Sequence, residues 1–303
     1  MTMSRRAIEL RGCIPILCTP FFEDGALDLA SLEREIEFVI GEGATGVATL
    51  AIASEGYKLT EAERDEVVRM VVGTVGGRVP VVVSADGAGT EVALERARRA
   101  AELGADALMV LPPYFVKPDQ AGLVDYYGRI GRSVEIPVII QDAPQLTGVS
   151  MGPALWARLS AEVPTIRYVK VEGTPQGTTI SEAIRQSDGR LAVFCGWGGL
   201  GMIDALERGC AGSMPAPNFT RVFAEIQGQY EAGDVARAEG AFAGELPFLL
   251  WAMQSVDYSV ATAKEAFRRR GIFTSAHQRQ PAAGLDEVSR GQLDRWLGRE
   301  RQV

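Results

Sequence analysis

Short apolar runs alternate with longer amphipathic stretches along the first three quarters of the chain. The runs are rich in Val, Ile, Leu or Ala and lack strict polar alternation, which is typical of parallel strands covered on both faces. The pattern predicts eight strands, at residues 14–18, 46–52, 79–85, 106–111, 136–141, 166–172, 191–196 and 211–214. Because a helical stretch follows each strand, the chain is predicted to be an α/β protein that folds as a (β/α)8 TIM barrel.

The helical stretches begin at recognisable capping residues. Thr60 and Glu63 have the spacing of a capping box, and Thr90, Asp119 and Ser150 are expected to cap later helices. A doubly wound sheet is the alternative architecture. It is disfavoured because no Gly-x-Gly-x-x-Gly motif follows the first strand.

The strand pattern ends after residue 225. Residues 235–254, 256–270 and 285–299 have the periodicity of helices, which would pack against the barrel or against a neighbouring subunit. We therefore expect two parts, a barrel over residues 1–225 and a C-terminal helical extension over residues 226–303.

The composition narrows the range of partners. The chain has 303 residues, of which 47% are hydrophobic and 23% charged, as in an ordinary soluble enzyme. The net charge of -8 disfavours nucleic acid and acidic membrane surfaces as partners. No apolar run could span a bilayer, and no apolar segment follows Arg5 and Arg6 as it would in a secretory signal. A cytoplasmic protein is expected.

The metal-binding residue types are sparse. The four cysteines form no Cys-x-x-Cys pair and are interpreted as thiols in a reducing compartment, and the single histidine, His277, lies in a polar segment. We therefore expect no metal and no other cofactor.

One lysine stands within the sixth apolar run. Lys170 and Glu172 are two residues apart on a strand, so they face the same side, whereas Val169 and Val171 face the other. Loss of hydration in apolar surroundings favours the neutral amine that Schiff-base chemistry needs. The alternative is a lysine that marks the solvated end of the strand.

In a (β/α)8 barrel, the active face is built from the C-terminal ends of the strands and the loops after them. For this chain, that rule brings Lys170 and Glu172 together as catalytic candidates. The candidates for substrate binding are Ala53, Ser54, Tyr114, Gln141, Gly196 and Ser213. The glycines of residues 196–201 fit a close approach of backbone to substrate better than a phosphate site.

Several motifs together resemble a known family over nearly the whole chain. They are Thr19-Pro20-Phe21 with Asp24-Gly25, Leu59-Thr60-x-x-Glu63-Arg64, Gly104-Ala105-Asp106, Pro113-Tyr114, Gly148, Lys170, Gly196 and Gly209-x-x-Gly212. The family is that of dihydrodipicolinate synthase and N-acetylneuraminate lyase, the class I aldolases. This resemblance implies a barrel with C-terminal helices, a homo-oligomer (dimer or tetramer), a small 2-keto acid substrate and Lys170 as the Schiff-base lysine.

Four positions depart from the family pattern. Ile52, Phe115 and Gln141 stand where the family's proton relay has hydroxyl groups, and Leu146 replaces the arginine that grips a second carboxylate in the synthase. We therefore expect no dihydrodipicolinate synthase activity.

The departures resemble the 2-keto-3-deoxy-L-arabonate dehydratase branch of the family. The shared features are the Ser54-Glu55 loop, Pro112-Pro113-Tyr114, Gln141-Asp142-Ala143-Pro144 and Lys170-x-Glu172. Gly196-Trp197-Gly198-Gly199 differs from the acidic stretch of that branch. The resemblance implies a lyase, here a dehydratase, acting on a 2-keto-3-deoxy sugar acid.

The residues can be assigned roles in that reaction. Glu172 would carry protons or, alternatively, hold Lys170 in place. The amides of Ala53 and Ser54, with the Ser54 hydroxyl, would hold the substrate carboxylate, and Gln141 would bind the sugar chain or the imine. Tyr114 would contact either the substrate or a second subunit. An aldolase of the same family and a barrel that binds 2-keto acids without turnover remain the alternatives.

Overall fold

The computed structural model describes residues 9–300, with side chains for residues 9–298. Arg5 and Arg6, which entered the prediction about a secretory signal, lie outside the described residues, as do residues 301–303. The described part of the chain contains eight strands: β1 Gly12–Cys13, β2 Val47–Thr49, β3 Val81–Ser84, β4 Ala107–Val110, β5 Val138–Asp142, β6 Ile166–Val171, β7 Ala192–Cys195 and β8 Gly212–Ser213. They form one parallel sheet in the order β1-β8-β7-β6-β5-β4-β3-β2.

The sheet closes on itself next to β1. Residues 14–18 were predicted as the first strand, but the regular strand lies just before them. Ile16 nevertheless forms a parallel bridge with Ala48, and the Leu17 amide donates to the Ala48 carbonyl at 2.8 Å. The first and second strand segments are therefore joined, which confirms the predicted (β/α)8 barrel.

Within residues 9–300, nine helices surround the barrel or cross its end: α1 Leu29–Gly41, α2 Glu61–Val75, α3 Thr90–Glu102, α4 Gln120–Arg132, α5 Pro144–Thr147, α6 Pro153–Glu162, α7 Gln176–Gln186, α8 Met202–Glu207 and α9 Thr220–Glu231. The capping box at Thr60 and the cap at Asp119 are confirmed. The caps predicted at Thr90 and Ser150 are wrong, because Gly89 and Gly152 occupy those positions. In both helices the N-cap residue is a glycine in extended conformation. Glycine is well tolerated at an N-cap even though it has no side chain to make a capping hydrogen bond.

Two apolar layers follow from the alternation of side chains along the strands. Val169 and Val171 belong to the layer between sheet and helices, whereas Tyr168 lies inside the barrel. There its hydroxyl accepts a hydrogen bond from the Leu10 amide at 3.0 Å. Lys170 shares the inward face of β6 with Tyr168, nearer the C-terminal end of the strand.

The predicted C-terminal extension is confirmed as α10 Val235–Ala252, α11 Val256–Arg269 and α12 Glu287–Glu300. The proposed boundary at residue 225 falls within α9, which packs against α10. No helix of the described part is both long and apolar enough to cross a membrane.

Candidate active site

A small cavity of about 50 Å³ lies at the C-terminal end of the barrel strands, and we call it the inner chamber. The strands and their loops supply most of its wall, and α11 with the residues before it supplies the rest. Its lining residues are Ile16, Ala51, Ile52, Ala53, Gln141, Leu146, Lys170, Glu172, Trp197, Gly198, Met214, Pro215, Ala216, Met253, Val256 and Ser259. One cavity is therefore lined by four of the predicted site residues, which are Ala53, Gln141, Lys170 and Glu172.

Lys170 and Glu172 form an ion pair at the edge of this chamber. The Lys170 Nζ lies 2.6 Å from the Glu172 Oε1, and both side chains are only 6% exposed. The shared strand face predicted from sequence is thus confirmed by the contact. Because the carboxylate touches the ammonium, it can take up the proton that Lys170 must lose before its nitrogen attacks a carbonyl.

Gln141 joins this pair from the neighbouring strand. Gln141 and Lys170 are directly paired in the register of β5 and β6. The Gln141 Nε2 lies 3.4 Å and 3.5 Å from the two Glu172 oxygens, a weak and shared hydrogen bond. The Gln141 Oε1 is buried and has no partner in the described part of the chain, so it could accept a hydrogen bond from a bound molecule.

Gly196 provides space for Glu172. A Cβ atom at position 196 would lie 2.4 Å from the Glu172 Cγ and 2.8 Å from the Val171 carbonyl oxygen. The residue does not line the chamber, whereas the following Trp197 and Gly198 do. Any larger residue at position 196 would displace the Glu172 side chain.

The predicted carboxylate-binding residues lie in a tight turn after β2. A 3-10 turn spans Ile52–Ser54, and the flanking Leu50 and Glu55 both have positive φ, at 59° and 57°. The Ser54 amide donates to the Ala51 carbonyl at 3.0 Å, while its hydroxyl is buried without a partner among the described residues. Ala53 lines the inner chamber and Ser54 does not.

A second, larger cavity of about 390 Å³ shares four lining residues with the first, and we call it the outer chamber. The shared residues are Ala51, Ile52, Leu146 and Val256. The other residues of its wall are Leu50, Tyr57, Asp86, Leu111, Tyr114, Thr147, Ser255 and Asp257. The wall therefore carries two carboxylates and four hydroxyl groups. No lysine or arginine among residues 9–298 lines it.

Besides Ser54 and Gly196, two further predicted site residues do not line the inner chamber. Tyr114 lines the outer chamber and is 42% exposed. Ser213 is fully buried and contacts the Cys13 thiol, while the next residue, Met214, faces the cavity. Adjacent residues on a strand point to opposite sides, so Met214 takes the inward position that was predicted for Ser213.

Sequence reasoning missed the wall that the C-terminal region supplies. Met253, Val256 and Ser259 line the inner chamber, although their segment was predicted only to pack against the barrel or a second subunit. An amphipathic pattern identifies the buried face of a helix but not the element that it covers. No signal in the sequence marks these residues as part of the site.

A further buried carboxyl group lies beside the site. Asp142 follows Gln141 on β5 and is 3% exposed, and its backbone carbonyl accepts from the Glu172 amide at 2.9 Å. Burial, reinforced by the negative charge of Glu172, raises the pKa of Asp142 from 3.8 to about 7, against a hydrogen bond from the Met151 backbone. Asp142 is thus held largely protonated in mildly acidic solution.

No group of three or more His, Cys, Asp or Glu side chains among residues 9–298 is arranged to hold a metal ion. The four cysteines are buried and unpaired. Burial raises the pKa values of the Cys13, Cys18, Cys195 and Cys210 thiols, which leaves them protonated near neutral pH.

The chain is similar to known proteins over almost its full length. A sequence model of the dihydrodipicolinate synthetase family matches residues 9–299. L-2-keto-3-deoxyarabonate dehydratase from Azospirillum brasilense is 30% identical over 289 residues, which cover 93% of this chain and 92% of that protein. A 4-hydroxy-tetrahydrodipicolinate synthase from Haloarcula marismortui is 34% identical over 284 residues, covering 93% and 90%. The crystal structure of dihydrodipicolinate synthase from Rhodopseudomonas palustris superposes with a TM-score of 0.89 at 27% identity, covering 96% of this chain and 97% of that one.

Proposed function

Because the chain belongs to the dihydrodipicolinate synthetase family of lyases and aldolases, we propose that it dehydrates a 2-keto-3-deoxy sugar acid through a Schiff base on Lys170. The observation that carries this proposal is the buried Lys170–Glu172 pair in a chamber with no phenol among its described lining residues. Glu172 is also the one carboxylate among those described lining residues. We therefore assign to Glu172 both the uptake of a proton and its return during the reaction.

The first step forms the covalent intermediate. Glu172 accepts a proton from Lys170, and the free Nζ attacks the C2 ketone of the substrate. Loss of the ketone oxygen as water gives an iminium ion, which can accept the electron pair left when a proton is removed at C3. The Ala53 amide, in the wall of the inner chamber, would bind the substrate carboxylate beside this centre.

The second step removes the C4 hydroxyl. A base takes the C3 proton, the resulting enamine pushes its electron pair toward C4, and the C4–O bond breaks. Hydroxide is a poor leaving group, so the oxygen must be protonated as it departs. Glu172 can take the C3 proton and return it to that oxygen, which departs as water and leaves a C3=C4 double bond conjugated with the iminium. Loss of a C5 proton, protonation at C3 and ketonisation of the resulting C4=C5 enol then convert the C5 hydroxyl group to a carbonyl. Hydrolysis of the imine releases the 2,5-dioxo acid and restores Lys170.

The lining of the outer chamber supports a substrate with an uncharged, hydroxylated tail. Asp86 and Asp257 would repel a second carboxylate or a phosphate, and both they and the neighbouring hydroxyl groups can bind sugar hydroxyls. Leu146, which replaces the arginine expected in a synthase, lines both chambers. These features argue against aspartate semialdehyde condensation as the reaction.

The proposal is tested by supplying 2-keto-3-deoxy pentonates and hexonates to the enzyme and identifying the products. We expect a 2,5-dioxo or semialdehyde-type acid, with little pyruvate. Pyruvate and an aldehyde as the main products would show an aldolase. Binding of the acids without any product would show a non-catalytic barrel.

A further inference from the structure

A buried charge network lies behind the turn that follows β2, outside the inner chamber. Lys264 of α11 is fully buried, and its Nζ contacts the Glu55 Oε1. The same nitrogen donates to the His277 carbonyl at 2.9 Å and lies 4.4 Å from the centroid of the Phe21 ring. Lys58 contacts the other Glu55 oxygen at 2.9 Å.

Glu55 is the negative partner of Lys264 in this network. Glu35 is also buried nearby, and burial raises its pKa well above the ordinary range, which favours its neutral form. Burial lowers the pKa of Lys264, and the charge of Glu55 opposes that shift. A desolvated ammonium held between a carboxylate, a carbonyl and an aromatic face has a fixed position, because each contact is strong when water is excluded.

Glu55 in turn ends the turn that carries Ala53 and Ser54. Its backbone adopts a left-handed conformation, φ 57°, which non-glycine residues rarely take without support from their surroundings. Gly56 packs so closely that a Cβ there would lie 2.1 Å from the Leu50 carbonyl oxygen. The Glu55 side chain is therefore the group through which neighbouring elements can fix the position of the turn.

We propose that Lys264 is a positioning residue for substrate binding, which holds the turn that carries the Ala53 amide through Glu55 so that this amide meets the carboxylate of a 2-keto acid. This inference rests on the proposed function, because the turn is there assigned to the substrate carboxylate. Lys264 lines neither chamber, so its effect on a bound acid would be exerted through Glu55. Its helix also supplies Val256 and Ser259 to the wall of the inner chamber, so one element both contacts the turn and forms part of that wall.

The test compares two ketones in borohydride trapping on the full-length protein. Pyruvate has the carboxylate that the turn would bind, and hydroxyacetone lacks it. For Lys264→Met we expect the pyruvate concentration for half-maximal trapping to rise about 10-fold or more, as for a displaced binding group. The value for hydroxyacetone should stay within about twofold of wild type.

Leu159→Ala is the matched control for simple destabilisation, since Leu159 is fully buried in α6 and lines neither chamber. We expect Leu159→Ala to lower the melting temperature without changing the half-maximal trapping concentration of one ketone relative to that of the other. Equal trapping of both ketones by Lys264→Met and wild type would overturn the proposal, and so would a parallel loss for both ketones.

Two further variants keep the test decisive if Lys264→Met does not fold. Glu55→Gln removes the negative partner of Lys264, so that this lysine can lose its proton. The double variant E55Q/K264M removes both buried charges. Both are expected to show the same selective loss for pyruvate, and the absence of that loss would refute the proposal. Failure of wild type itself to trap any 2-keto acid would instead contradict the proposed function.

Discussion

At the scale of single residues, Glu172 is the group on which the proposed reaction depends most after the lysine. It neutralises Lys170 at 2.6 Å and lies within 3.5 Å of the Gln141 amide. A glutamine at position 172 would keep the size and hydrogen bonding of the side chain but could not carry a proton. We expect Glu172→Gln to lower turnover by about 10²-fold or more.

Borohydride trapping of a 2-keto acid by Glu172→Gln should become slower but still reach the wild-type extent, because Glu172 affects how fast Lys170 loses its proton and not whether the imine can form. Steady-state rates measured beside the trapping separate the loss of turnover from this slower covalent step. A variant with wild-type turnover would leave the reaction class unchanged and assign proton transfer to another group.

The second prediction at this scale concerns Asp142 and pH. Its pKa is raised from 3.8 to about 7 in the folded protein, so the folded state retains a proton that the unfolded state loses over that range. Stability therefore falls as the pH rises from about 4 to about 7, by up to about 1.4 kcal/mol per pH unit.

Asp142→Asn lacks this dependence. We expect the free energy of unfolding of wild type, relative to that of Asp142→Asn, to decrease between pH 4 and pH 7 and to level off above pH 7. Urea titrations at a series of pH values measure it. A constant difference across the range would show that the carboxyl group titrates normally.

Strand alternation predicted the Lys170–Glu172 pair because both residues lie on one regular strand or directly after it. It could not place Ser213 correctly, because β8 has only two residues and its inward register is set by pairing with β1 and β7. The partnerless Ser54 hydroxyl depends on the fold of a 3-10 turn, which periodicity does not describe.

At the scale of elements, the positions of strands and helices followed from apolar periodicity, whereas their ends depended on local backbone geometry. The capping box at Thr60 was recognisable because two side chains three residues apart satisfy the free amides of the first turn. The cap before α3 was misplaced by one residue, because glycine needs no side-chain contact to occupy that position.

This difference between two threonines gives a stability prediction. The Thr60 hydroxyl accepts from the Glu63 amide at the start of α2. We expect Thr60→Ala to lower the free energy of unfolding by about 1 kcal/mol. Thr90→Ala is the control, since Thr90 is the first residue of α3 and makes no capping contact, so its effect should stay below about 0.5 kcal/mol. Equal losses in urea unfolding would contradict the assigned caps.

At the scale of the whole molecule, the barrel and its C-terminal helices act together at the site. The barrel order could be predicted from eight repeated strand–helix units, but the approach of α11 to the chamber is a long-range contact without a sequence pattern. Residues 114–116, after β4, form an exposed apolar segment in which Phe115 is 83% and Val116 is 72% exposed. An exposed apolar patch of this kind is typical of an interface.

We therefore expect the protein to form a homo-oligomer through this segment. The double variant F115S/V116S should give a smaller species than wild type in size-exclusion chromatography with light scattering. Val288→Ser, on α12 and 69% exposed, is the control and should leave the mass unchanged. A monomeric wild-type protein would contradict the prediction.

The central claim is that Lys170 forms the Schiff base, and mass spectrometry after borohydride treatment measures this directly. Incubation of the intact protein with pyruvate or a 2-keto-3-deoxy acid, followed by reduction and peptide mapping, should give one adduct on Lys170. Lys170→Ala should give none. An adduct on Lys58, Lys117 or Lys264, or an unmodified wild-type protein, would contradict the account.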